Sequence, residues 1–168
     1  FVRQNDFEGA EEYYHKAFAL NSNSDVLQVN LGTLEIQRGE WGPARDRFRQ
    51  ALLLNEKNSK AWVGLGLSHS NLGDMELAFA NMTTALDLDP SNRTAVHLYA
   101  AWAPQWGREF EAIDHLQDYL GVVSFDEDMS LCLIQLCWQQ NRRMEARLEL
   151  ERVLAWNPQN EALFDLLD

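Results

Sequence analysis

The chain has 168 residues, 46% of them apolar, and a formal net charge of −12, which is enough length and apolar content for one well-buried domain. Its acidity disfavours phosphate backbones, so no nucleic-acid partner is expected. No apolar run approaches the ~18 residues of a membrane span, so no direct membrane insertion is expected either.

An alanine recurs at Ala10, Ala44, Ala78, Ala112 and Ala146, in equal steps of 34 residues. A column of that kind has a chance on the order of one in a hundred thousand, and it marks an architectural repeat. The period predicts, in chain order, the second helix of a partial repeat in 1–24, whole repeats in 25–58, 59–92, 93–126 and 127–160, and the start of a further first helix in 161–168, all in a single domain.

Within each repeat a turn is expected at Asn5, Gly39, Gly73, Gly107 and Asn141, the residue types that most readily take the left-handed conformation ending a helix. Beyond each turn a second helix is expected. Its buried face carries the alanine, then Tyr14, Phe48, Met82, Leu116 and Leu150, then Phe18, Leu52, Leu86, Leu120 and Leu154, an i, i+4, i+8 spacing. Ahead of the turn a first helix is expected, clearest in Trp62, Leu65, Gly66 and His69, with Leu31, Gly32 and Glu35 one period earlier. Small residues at Gly32, Gly66 and Ala100 let the partner helix come close.

The repeat 93–126 departs most from the pattern. Tyr99 and Ala103 fill core columns, and Pro104 should kink the first helix or end it near Ala103, because an interior proline costs roughly 3 kcal/mol. Trp102 and Trp106 then either cover the turn or open a notch for a ligand. In the last whole repeat Cys132 and Cys137 stand five apart on one helix, too far apart to bridge. They are expected as free thiols, Cys137 as a small buried hydrophobe, and unpaired cysteines lean towards a reducing, cytoplasmic compartment.

The stretch Ala61-Trp62-Val63-Gly64-Leu65-Gly66, followed by Gly73, Ala78, Ala85 and Pro90, resembles the tetratricopeptide repeat. The resemblance implies an all-α, helical-hairpin solenoid, a right-handed superhelix of antiparallel helix pairs, and a concave groove that binds protein or peptide ligands. Such a fold is a binding module, and the chain holds little chemistry to set against that. His15, His69, His97 and His115 fall in different columns without converging ligands, so no metal site is expected. Gly64 and Gly66 match no phosphate or dinucleotide fingerprint, and no serine or cysteine sits in a nucleophile elbow. Neither catalysis nor a cofactor is expected.

On each first helix, repeat positions 4, 7, 8 and 11 share the core direction, while positions 2, 5, 9, 12 and 13 centre roughly 140° away. The resemblance assigns that second stripe to the groove. It holds Val26, Val29, Thr33, Ile36 and Gln37; then Lys60, Val63, Leu67, Ser70 and Asn71; then Thr94, His97, Ala101, Pro104 and Gln105; then Asp128, Leu131, Gln135, Trp138 and Gln139. Half of the stripe is apolar where a lone amphipathic helix would be polar. Two explanations stand side by side: neighbouring helices cover it, or it holds the apolar segment of a partner. The lysine and asparagine with which some family members clamp a terminal carboxylate are replaced by Val29 with Thr33 and by Val63 with Leu67, so that clamp is absent.

Charge and chain ends complete the reading. No lysine or arginine occurs in 61–92 or 109–141, where the acids form a solvated face or steer a basic partner. The end stretches, Phe7, Tyr14 and Phe18 on one side and Glu161–Asp168 on the other, are uncapped in this pattern, so self-association through them is an expectation. The function expected is a non-catalytic protein–protein interaction module. The alternatives are a structural spacer or self-assembling scaffold within a larger protein, or a secretion or assembly chaperone.

Overall fold

The computed structural model describes residues 24–158 and, before them, the helical residues Gly9, Glu12, Tyr13 and Lys16. The expected turn at Asn5, the core positions Ala10, Tyr14 and Phe18, and the start at 161–168 lie outside the described residues. The chain forms two compact units, Phe1–Asp89 and Pro90–Asp168. Among the described residues every regular element is a helix.

In the first unit α1 (Asp25–Gln37) pairs with α2 (Trp41–Leu54), and α3 (Ser59–Asn71) with α4 (Met75–Leu88). Side-chain oxygens of Ser24, Asn58 and Asp74 accept from the backbone N–H three residues on, satisfying donors that a helix start leaves free. The turns at Gly39 (φ 77°) and Gly73 (φ 88°) are left-handed, and Glu40 and Asp74 donate back to the carbonyls of Glu35 and His69 at 2.9 Å. That closure turns the chain sharply into the second helix.

The hairpins stack because α2 packs on α3 and α1 also touches α3. The alanine column is what permits this: Ala44 and Ala78 are fully buried. Phe48 supplies the bulk, its ring set between two glycines. A Cβ on Gly32 of α1 would lie 2.9 Å from that ring, and one on Gly64 of α3 only 2.3 Å from it. Gly66 similarly faces the backbone of α4, where a Cβ would sit 3.1 Å from the Ala78 carbonyl oxygen.

The second unit repeats the scheme with α5 (Arg93–Trp106), α6 (Glu109–Val122), α7 (Glu127–Gln139) and α8 (Arg143–Trp156). Asn92 and Asp126 cap α5 and α7 through side-chain acceptors, and Gly107 (φ 65°) and Asn141 (φ 58°) make the left-handed turns. Ala112 and Ala146 are buried, as are Tyr99, Ile113, Leu116 and Val153. Cys137 is buried too, and both cysteines are free.

Pro104 does not end its helix near Ala103: α5 continues to Trp106. The proline stands in the last turn, so it removes a single bond, and Gly107 and Arg108 both donate to the Ala103 carbonyl to close the end.

A polar latch recurs with the repeat. The residue opening each first helix reaches forward to the end of its own hairpin: Asp25 accepts from Asn55 and Asn58, in the loop after α2, at 2.8 and 2.9 Å, and Ser59 donates to the Ala85 carbonyl in the last turn of α4. Arg93 donates to Asp126 at 2.6 Å, and Glu127 accepts from Asn157 at 3.4 Å. Each latch fixes where the chain enters the next hairpin.

Candidate functional site

Burial divides the expected groove stripe. In the first unit Val29 and Val63 are buried, Val29 within the cluster that Phe48, Ala44, Ala51, Ala61 and Leu65 form. These two valines offer no free surface, because each first helix has a neighbouring first helix as well as its own partner. Ile36 and Leu67 are half-buried, whereas Val26, Thr33, Lys60 and Asn71 are exposed. What remains open on α1 and α3 is therefore mostly polar, with apolar spots at Val26, Ile36 and Leu67.

In the second unit the stripe borders two concavities. One, of about 220 Å³, lies between α5 and α7, with Ala101, Met129 and Cys132 beside Arg93, His97 and Asp128. His97 and Ala101 were expected on this face. Arg93, Met129 and Cys132 were not, since they occupy repeat positions 1, 3 and 6, outside the stripe; the recess exists because the first helices of successive repeats come together.

The charges at its mouth are held in place. The Arg93 guanidinium grips Asp126 at 2.6 Å and Asp128 at 2.8 Å, and Tyr119 donates its hydroxyl to Asp126 at 2.8 Å. Arg93 foremost, with help from Tyr119 and the Met129 amide, holds the Asp126 carboxyl below the ordinary carboxylate value. Burial first, then the bond to Asp126, raises the Tyr119 phenol. Burial likewise raises the Cys132 thiol, which favours the neutral, apolar form at the recess floor.

The other concavity, of about 310 Å³, runs between α7 and α8. The expected residues Leu131, Gln135, Trp138 and Gln139 line it from α7, joined by Ile134, while Ala146, Arg147 and Leu150 line it from α8. Trp138 is 54% exposed, with the Arg143 guanidinium 5.5 Å from its ring centroid, a cation–π arrangement.

Several of the remaining cations pair with acids. Asp126 and Asp128, without a cation near them in sequence, are met by Arg93 from 33 and 35 residues away. Arg45 and Arg49 pair with Asp46, Arg47 with Glu35, Arg142 with Glu145 and Arg147 with Glu151. Among the described residues no group of three or more His, Cys, Asp or Glu side chains could hold a metal ion, and no helix is long and apolar enough to cross a membrane.

Antiparallel helix pairs stacked at a 34-residue period, joined by left-handed turns and bearing an open face on their first helices, define an all-α repeat protein of the helical-hairpin solenoid class. Residues 29–93 match the family model of the tetratricopeptide repeat. The chain is 28% identical over 167 residues to the cell division cycle protein 27 homolog of Caenorhabditis elegans, covering 99% of this chain and 21% of that protein. The chain thus spans about a fifth of that relative's length.

Among solved structures, MamA superposes with a TM-score of 0.73 at 16% identity over 94% of this chain and 92% of that one. YrrB, described as a TPR protein with an unusual peptide-binding site, gives 0.66 at 19% identity over 98% and 85%. Tetratricopeptide-repeat proteins generally mediate protein–protein interactions and are generally not catalysts.

Proposed function

We propose that the chain is a non-catalytic protein-binding module whose first-helix faces hold a peptide or helix of a partner protein, with an apolar side chain of that partner seated between α5 and α7. The observation that carries this reading is the 220 Å³ recess, where Ala101, Met129 and Cys132 lie beside Arg93, His97 and Asp128. An apolar pocket with a few fixed polar groups is the usual form of a site that takes one side chain and orients the backbone around it. Arg93 and Asp128 are tied into a network before any ligand arrives, so little side-chain ordering remains to oppose binding. The family supports the same reading, as does the described peptide-binding site of the structural neighbour YrrB.

The test starts from peptides selected for binding to the whole chain from a random library, with affinity read by fluorescence anisotropy. Ala101→Arg should weaken the selected peptides by about 10- to 150-fold, the equivalent of losing one apolar side chain of roughly 1.5 to 3 kcal/mol. Ala101 is exposed, so the unfolding midpoint should hold. Unchanged affinity in Ala101→Arg overturns the proposal.

A further inference from the structure

The second helices of the second unit carry large apolar side chains that the architecture does not require. Phe110 on α6 and Met144 and Leu148 on α8 are each more than half exposed, and two periods earlier the same positions hold Gly42, Glu76 and Ala80. Between α6 and α8 lies a groove of about 320 Å³. The buried Leu120 and Leu133 line it together with Leu148. Gly121 opens it, because a Cβ there would meet nothing within 4 Å; in the first unit that position is filled by Leu53.

Two bonds between the helices frame the groove. Gln117 donates to Glu145 at 2.8 Å, and Arg152 donates to the Leu120 carbonyl at 3.3 Å. Among the described residues lining the groove Arg152 is the one cation, and it is engaged by that carbonyl and by Glu149, 3.3 Å from its Nε. Glu145 is met by Arg142 at 2.6 Å. The surplus of negative charge lies on α6, which holds Glu109, Glu111, Asp114 and Asp118 and no lysine or arginine. Asp114 and Asp118 are exposed, and their spacing puts them on the same side of α6 as the groove residues Gln117 and Gly121. The fold does not impose this charge: two periods earlier α2 carries Arg45, Arg47 and Arg49, and Gln117 stands where Arg49 does.

We propose that the groove between α6 and α8 is a second docking site, which takes a basic segment of a partner protein. One large aliphatic side chain of that segment enters beside Gly121, and flanking lysines or arginines lie against Asp114 and Asp118. An exposed apolar patch of this kind marks an interaction site, and a surplus of exposed acids beside it attracts a positive partner. A second copy of the chain, with its net charge of −12, is repelled by the same face. The two framing bonds hold the helices apart before the occupant arrives, so little ordering opposes its entry. The site goes beyond peptide binding at the α5–α7 recess and does not depend on it.

The experiment selects peptides from a random library against the full chain carrying Ala101→Arg, so that the α5–α7 recess is closed, and reads their affinity by fluorescence anisotropy. The expected peptides carry lysine or arginine around a leucine, isoleucine or methionine. Gly121→Leu, which fills the groove, should weaken them by about 10- to 150-fold, the equivalent of losing one apolar side chain. Leu148→Lys, at an exposed position, gives the same direction of change if Gly121→Leu disturbs the helices. Asp114→Asn with Asp118→Asn should weaken them by about 2- to 30-fold, as the loss of two exposed ion pairs predicts. A library that yields no saturable binder overturns the proposal, as do selected peptides without basic residues or with affinity indifferent to Gly121→Leu and Leu148→Lys. A dimer in light scattering that Gly121→Leu disperses puts a second copy in the groove and overturns it as well.

Discussion

Gly64→Ala should destabilise the first unit although it adds a better helix former. In a helix interior alanine gains about 0.8 to 1.0 kcal/mol over glycine. At this position the new Cβ meets Phe48 at 2.3 Å from both Cε1 and Cζ. Carbon atoms rest at about 3.5 to 4.0 Å, so roughly 1.2 Å or more of overlap must be absorbed. The ring is 1% exposed, in a cluster with Val29, Ala44, Ala51, Ala61 and Leu65, and a shift away from α3 drives it at α1, where Gly32 is already close.

Overpacking of this kind costs about 1 to 3 kcal/mol, which leaves a net loss of up to about 2 kcal/mol after the propensity gain is set against it. At a urea m-value near 2 kcal/mol/M that is a midpoint lower by up to about 1 M. Gly121→Ala, where nothing lies within 4 Å, should instead gain up to about 1 kcal/mol. Pairing Gly64→Ala with Phe48→Leu should recover stability, with a coupling of about 1 kcal/mol or more. A stabilised Gly64→Ala, or additive effects in the pair, refutes the sandwiched-ring account.

Asn141→Ala should cost about 1 to 2 kcal/mol, since φ is 58° there and a Cβ without a local hydrogen-bonding group opposes that conformation; Asn141→Gly should cost nothing, and thermal melts compare the two. Burial lowers the His69 imidazole below its ordinary 6.5, so its contribution to stability is present above 6.5 and lost as pH falls through the lowered value. A proton NMR titration placing the His69 midpoint above 6.5 contradicts this. Asp126, lowered chiefly by Arg93, contributes above 3.8 and loses that contribution as pH falls below it. Asp126→Ala at pH 7 also removes the α7 cap at a cost of about 0.5 to 2 kcal/mol, and calorimetry checks both statements. The Cys137 thiol, pushed up to about 11 mainly by burial, should resist alkylation at pH 8 until the chain unfolds; rapid labelling of native protein would place it at the surface.

The turns and the alanine column were legible because each rests on a local requirement that one residue type meets: a positive φ at Gly39, Gly73, Gly107 and Asn141, and a lack of space at Ala44, Ala78, Ala112 and Ala146. The free face was less legible. A helical stripe says which residues share a direction but not what lies in that direction, so Val29 and Val63, covered by neighbouring helices, looked the same as the exposed Val26. Pro104 misled for a related reason: the rule against interior proline takes no account of how few bonds remain beyond it in α5. The recess at Arg93, Met129 and Cys132 joins α5 to α7 across more than thirty residues of sequence, and no periodic pattern within one helix announces a space between two. Arg93 hid in the same way, since its carboxylate partners stand one period on.

Chemical-shift mapping of the labelled full chain with a selected peptide tests the binding account most directly. Saturable changes centred on His97, Ala101, Asp128 and Cys132, and lost in Ala101→Arg, are the predicted result. Changes centred instead on the exposed second-helix residues Phe110, Met144 and Leu148, with the α5–α7 recess silent, contradict it.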